Sequence, residues 1–205
     1  MSNVYFLLAL IPSIILHEVS HGWLAYHCGD PTAKQMGRLT LNPLVHIDPF
    51  GSILLPIILI LAGFPPFGWA KPVPVNPARM RNRRVNAFWV SLIGPMVNLT
   101  LSAIGLAMCA YAYHVDQSQF LFNAGLYVGI TNLCLGVFNL IPIPPLDGSA
   151  LLEFFVPNRQ LPTYYRWRNK ALPFVIIVWL LLSFLHINDP LFSGLINWWE
   201  SLIRL

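Results

Sequence analysis

The chain has 205 residues, of which 56% are hydrophobic and 10% charged, whereas an ordinary soluble domain carries about a quarter charged residues. That balance excludes a soluble globular enzyme and points to an integral membrane protein. The net charge of +4 does not indicate a nucleic-acid partner, because the basic residues flank apolar segments and no nucleic-acid motif accompanies them.

One domain over 1–205 is the economical organisation, with no internal repeat or low-complexity tract. The first apolar run, 4–26, has no basic residue ahead of it and no small-residue cleavage site, so it is expected to stay in place rather than be removed as a signal peptide. Further apolar segments fall at 51–63, 86–113, 120–141 and 172–188, followed by an amphipathic stretch at 190–205. These predict an all-α polytopic membrane protein, a bundle of about five to six transmembrane helices with a re-entrant hairpin and a proline-broken segment at the candidate site. Crossing about 30 Å of hydrocarbon takes about 20 helical residues, and "GSILLPIILILAG" (51–63) is too short. Interrupted by Pro56 and followed by "GFPPFGWAKPVPVNP", it reads as a re-entrant hairpin packed against protein. Lys34, Arg38, Lys71, Arg79, Arg81, Arg83 and Arg84 then lie on one side, and two further crossings bring Arg159, Arg166, Arg168 and Lys170 to it. By the positive-inside rule that side is the cytoplasm. A full crossing by 51–63 would split the bias. At the far end, Trp198 and Trp199 beside Leu191, Leu195, Leu202 and Ile203 suggest an interfacial helix, with a tight sixth span as the alternative.

Inside the first run, His17 and His21 are four residues apart, so a helix stacks them on one face with Glu18 beside it. This is the H-E-x-x-H arrangement, which binds zinc through two imidazoles and sets a carboxylate to take a proton from metal-bound water. A lone histidine on an apolar face is usually a hydrogen-bonded packing residue, but Glu, His and His together at membrane depth mark a functional site. Catalytic zinc sites usually have three protein ligands. The best source of the third is "NLIPIPPLDGS" (139–149), where Asn139, a proline-broken backbone and Asp147 follow directly on an apolar span. Pro142, Pro144 and Pro145 forbid a regular helix there and free backbone groups at membrane depth. The depths agree, since His17 lies about 20 Å along its helix from Val4.

These motifs resemble the site-2 proteases, zinc metalloproteases that cleave substrates within the membrane. The resemblance covers most of the chain and rests on His17-Glu18-Val-Ser-His21, "NPLVHIDPFGS" (42–52), "GWAKPVPVNP" (68–77), "GPMVN" (94–98) and the run from Asn139 to Asp147 and Gly148. It implies one Zn2+ per chain on His17, His21 and Asp147, Glu18 as general base, and Asn139 with Pro142, Pro144 and Gly148 helping to hold the substrate strand. It also implies transmembrane-segment protein substrates, a lipid bilayer as the setting and a bacterial or archaeal cell membrane, with the site toward the cytoplasmic side. Peptide bonds inside a helix are shielded, so a substrate must unwind locally, and an extended segment could then pair with the backbone around 139–146. Attached PDZ or CBS domains and a full span ahead of the H-E-x-x-H helix are not seen, which suggests a compact, core-only member. The competing function is a zinc-binding membrane protein that transports ions or chaperones helices without cutting them. Against transport, the acidic and histidine residues cluster at one depth instead of lining a path.

The remaining polar residues admit two readings each. His46 and Asp48 could reach the metal, but a turn that bonds its own backbone before Pro49 explains them better. Asn98, following Gly94 and Pro95, could orient the ligands or serve helix packing. His27, His114 and His186 fall at span ends and are expected at the interface. Cys28, Cys109 and Cys134 are odd in number and widely spaced, and are expected to be packing residues. Oligomeric state is left open.

Overall fold

The computed structural model describes residues 2–63, 68–153, 155–184 and 188–204. Helices account for its regular structure, and no strand occurs among the described residues. The first helix, α1 (Ser2–His27), ends where Gly29 takes a φ of +108° and donates its N–H to the Tyr26 carbonyl; a left-handed residue of this kind closes a helix at little steric penalty only when it is glycine. Asp30, fully buried, then accepts from the Thr32 and Asn76 backbone N–H groups at 3.1 and 2.6 Å. It ties the short α2 (Thr32–Gln35) to a segment 46 residues away.

The 51–63 run forms a wide helical turn, Pro49–Leu54, continued by α3 (Leu55–Leu61). Asp48 starts it by accepting from the N–H groups of Phe50 and Gly51 at 3.0 and 2.7 Å. The chain then comes back. Trp69 N–H donates to the Gly51 carbonyl at 3.2 Å, the Ser52 hydroxyl donates to the Trp69 carbonyl at 2.8 Å, and Lys71 N–H donates to the His46 carbonyl at 2.8 Å. The two ends of the excursion therefore lie side by side, as a re-entrant element requires.

Next come α4 (Arg83–Tyr111) and α5 (Gln119–Leu140), the latter capped by Ser118, whose Oγ accepts from Leu121 N–H. These two pack backbone to backbone. A methyl on Gly105 would lie 2.4 Å from Gly129 N and 2.6 Å from the Gly125 carbonyl oxygen, so only glycine permits the approach. The helix α1 packs along the same pair, with Ala25, Ala87 and Val90 buried together. Tyr5–His27, Arg83–Asp116 and Gln119–Leu140 are the three helices long and apolar enough to cross a membrane among the described residues.

After α5, a loop leads through the single turn α6 (Ala150–Glu153) to α7 (Leu161–Lys170), α8 (Leu172–Phe184) and α9 (Asn188–Ser201). The expected span 172–188 is thus helical to Phe184, and His186 lies outside the described residues. Thirteen residues reach only about 20 Å. The Arg83 guanidinium sits over the Tyr165 ring at 5.6 Å, while His114 Nε2 meets the Ile203 carbonyl at 3.2 Å. Between them, α8 and α9 therefore run from the Arg83 end of α4 to its His114 end. The interfacial reading of the tryptophan pair suits Trp198, which is 57% exposed, and not Trp199, which is 2% exposed and packs on Gly129, where a methyl would lie 2.1 Å from its ring.

Candidate metal centre

On α1, one helical turn separates the buried His17 and His21, whose rings meet edge to face at 4.7 Å. Asp147 arrives from the loop after α5. Its Oδ2 is 3.0 Å from His17 Nε2 and 3.3 Å from His21 Nε2, and the two Nε2 atoms are 3.1 Å apart. Gly148 makes this approach possible, because a methyl there would lie 2.1 Å from the Leu140 carbonyl oxygen and push the loop off the end of α5. Gly94 of α4 does the same on the other side, where a methyl would lie 2.4 Å from His21 Nε2 and 2.7 Å from His17 Cε1.

The outer nitrogens are engaged. His21 Nδ1 lies 2.5 Å from the Val90 carbonyl oxygen and His17 Nδ1 lies 2.5 Å from Asn98 Oδ1. Both partners are acceptors, so each Nδ1 carries a proton, and a neutral ring then presents a bare lone pair at Nε2. Two lone pairs and a carboxylate oxygen consequently face one another inside the protein. Such a triangle holds only with positive charge among its members. Four-coordinate zinc at about 2.0–2.1 Å from its ligands would set donors about 3.3 Å apart, and the observed separations of 3.0, 3.1 and 3.3 Å match that spacing. Asp147 contributes a carboxylate oxygen to this donor set beside the two imidazole nitrogens.

Glu18 is not one of the three converging donors. Its Oε2 accepts from the Val73 N–H at 2.8 Å, which leaves Oε1 for other work. The N–H groups of Trp69, Lys71 and Val73 all find partners, the two-residue repeat of an extended chain, and Gly22 leaves room for it, since a methyl there would lie 2.7 Å from Val73 Cγ1. Extended backbone beside the site is thus found at 69–73. The 139–146 segment instead closes on itself in turns, with Ile143 N–H donating to Ile141 O and Leu146 N–H to Ile143 O.

Other sequence candidates fall into place by their contacts. Asn139 donates to Leu135 O of its own helix at 3.0 Å, Pro144 is buried and Pro142 is exposed in the same loop. His46 is buried with Nε2 on the Thr40 carbonyl at 2.9 Å, and Asp48 caps the wide turn, so neither joins the triangle. Glu153 accepts from the Tyr165 hydroxyl; burial and that hydrogen bond push the phenol up to about 12. His27 bonds Trp23 O of its own helix, and the three cysteines are free. Asn98 is fully buried and continues to Asn132 Oδ1 at 2.8 Å, and Asn132 continues to Ser13 Oγ at 2.7 Å. Sequence reasoning missed Asn132 and Ser13. The signal was available, since Asn132 is a polar residue deep in an apolar span and Ser13 stands one turn before His17 on the same face.

Known proteins share much of this sequence. Residues 112–182, which include Asp147, match the model of peptidase family M50. YwhC of Bacillus subtilis, provisionally named a zinc metalloprotease, is 44% identical over 160 residues, 75% of this chain and 69% of that protein. Rip2 of Mycolicibacterium smegmatis and Rip2 of Mycobacterium tuberculosis, provisionally named in the same way, are each 33% identical, over 83% and 91% of this chain and 64% and 69% of their own lengths. No solved structure matches significantly. An all-helical membrane fold with this match defines the class as an intramembrane metalloprotease. The chain belongs to peptidase family M50, the site-2 proteases.

Proposed function

We propose that the protein is a zinc-dependent endopeptidase acting on peptide bonds in or near transmembrane segments of other membrane proteins. One zinc per chain is held by His17, His21 and Asp147, and Glu18 is the general base. The observation that carries this reading is the triangle of His17 Nε2, His21 Nε2 and Asp147 Oδ2, with sides of 3.0 to 3.3 Å, whose two histidines lie on the helix that presents Glu18. Bound zinc supplies an acidified water and polarises the scissile carbonyl. Glu18 takes the proton and hands it to the leaving amine. Asn139 holds the Leu135 carbonyl through one amide N–H, which leaves its second N–H and its Oδ1 for a substrate.

The whole chain acts as one multi-pass domain in a bacterial or archaeal cell membrane, with the site toward the cytoplasm. The adjacency of Gly51 and Trp69 supports this orientation, because it keeps Lys34, Arg38 and Arg79 to Arg84 on one side. Purified protein incubated with a panel of single-span substrates, with and without a chelator, tests the reading. Chelator-sensitive cleavage within the substrate span is expected. Stoichiometric zinc with no cleavage of any substrate would favour a non-proteolytic zinc protein.

A further inference from the structure

The two zinc-facing histidines are anchored differently. Val90 O can only accept, so His21 needs nothing more to place its proton on Nδ1. His17 faces a side-chain amide, which offers an oxygen in one orientation and an NH2 group in the other. If the Asn98 amide were turned over, its NH2 would meet His17 Nδ1 and select the opposite tautomer. The proton would then sit on Nε2, where a metal has to bind.

What holds the amide the right way lies further from the metal. Asn98 Nδ2 donates to Asn132 Oδ1 at 2.8 Å. Asn132 Nδ2 donates to the Val128 carbonyl at 2.9 Å and to Ser13 Oγ at 2.7 Å, and the Ser13 hydroxyl itself donates to the Ala9 carbonyl at 2.6 Å. Both ends of this chain are backbone carbonyls, which cannot donate. Val128 O therefore forces the Asn132 amide to present NH2 toward it and oxygen toward Asn98. That in turn forces Asn98 to present oxygen to His17. Asn98 and Asn132 are 0% exposed and Ser13 is 3% exposed, so water is not at hand to replace a missing partner, and an unpaired group would be expensive.

We propose that Asn132, acting through Asn98, is a positioning residue that sets the His17 tautomer and thereby the zinc affinity of the site. Ser13 is a lesser contributor, since Val128 O alone fixes the Asn132 amide. The inference rests on the metal-binding reading of His17, His21 and Asp147, and goes beyond it in naming two residues that touch neither metal nor substrate.

The test is zinc affinity, measured by chelator competition on full-length, metal-stripped protein in detergent, with helical content and thermal stability checked for each variant. Removing the partner of a metal-bound histidine typically lowers affinity about 10–100-fold. Asn98→Leu is expected in that range, Asn132→Leu at about tenfold and Ser13→Ala within about twofold. The decisive measurement is Asn132→Leu in the N98D background. A carboxylate presents an acceptor oxygen whichever way it is turned, so Asn132→Leu should cease to lower zinc affinity there. An equal loss in both backgrounds would make Asn132 a packing residue and overturn the proposal, as would an unchanged affinity for Asn132→Leu alone. A second measurement needs no substitution at 132: 15N NMR of ring-labelled, metal-free protein at a pH where the His17 ring is neutral, with its signals assigned against His17→Gln, should show the proton on Nδ1, and a neutral ring protonated on Nε2 refutes the proposal. If unsubstituted protein bound no zinc, the metal reading itself would fall; zinc binding that ignores Asn132 removes this inference alone.

Discussion

The Glu18 carboxylate accepts a hydrogen bond from the Val73 backbone N–H at 2.8 Å, across 55 residues of chain. Val73 lies between Pro72 and Pro74, neither of which has an N–H to give, so it is the donor this stretch can offer. One carboxylate oxygen is thereby held, on the residue that directly follows His17 along α1. Glu18→Gln preserves the contact, because the amide oxygen still accepts from Val73, but it abolishes the base. Cleavage should fall by at least about 10²-fold while zinc content by elemental analysis stays at the unsubstituted level. Undiminished turnover would remove Glu18 from the chemistry.

Asp147→Ala takes away one side of the donor triangle. Zinc occupancy and activity should fall together, since the site loses one of three protein ligands and the anionic one among them. Full metal content in folded Asp147→Ala protein would shift the assignment to another carboxylate or histidine. The structure makes His46, Asp48 and Glu153 poor replacements, as each is committed to Thr40, the turn at Phe50–Gly51 or Tyr165.

Gly94→Ala separates the site from the scaffold. In a helix interior this exchange favours the helix by about 0.8–1 kcal/mol, yet the added methyl would lie 2.4 Å from His21 Nε2. The variant should bind zinc poorly and cleave little while its thermal unfolding temperature holds steady. A normal zinc affinity would mean that the imidazoles can move aside without loss.

Substrate form supplies a test of unwinding. Gly or Pro placed near the scissile bond of a substrate helix should speed cleavage, because either residue lowers the helix's stability by about 1–3 kcal/mol. Equal rates on a stiff Leu-rich span and its Gly-containing counterpart, measured under single-turnover conditions, would show that unwinding does not limit the reaction.

Topology can be read by labelling single cysteines with an impermeant thiol reagent in intact cells, after replacing Cys28, Cys109 and Cys134. Gln35, Asn82 and Gln160 report one side. For the other side Asp116 is preferable to its neighbour Gln117, whose φ of +52° would strain a cysteine. Protection at 35, 82 and 160 with labelling at 116 is expected. Labelling at 82 with protection at 35 would make 51–63 a true span, split the basic residues between the two sides and require the placement of the site to be rebuilt.

The sequence alone determined what depends on neighbours along one helix. His17 and His21 must share a face because they are four residues apart, Glu18 must stand next to them, and an apolar run of that length must be a span; these follow from the helix repeat and the bilayer thickness. It also raised Asp147 to the best candidate for the third ligand and Asn98 to one of two readings. Tertiary structure decided what crosses between helices. It brought Asp147 to His17 and His21 from a loop that only Gly148 allows to fold back, set Val73 on Glu18, and carried the support of His17 from Asn98 through Asn132 to Ser13, a partner 119 residues from Asn132. It also placed Trp199 against Gly129 and divided the traverse from Arg83 to His114 between two helices where the hydropathy suggested one span and an interfacial tail. Periodicity records which face of a helix is apolar, but it does not record which polar groups on two helices come into register. That depends on how closely the backbones approach, here through Gly94, Gly105 and Gly129, and a glycine in a single sequence looks the same whether it faces lipid or another helix.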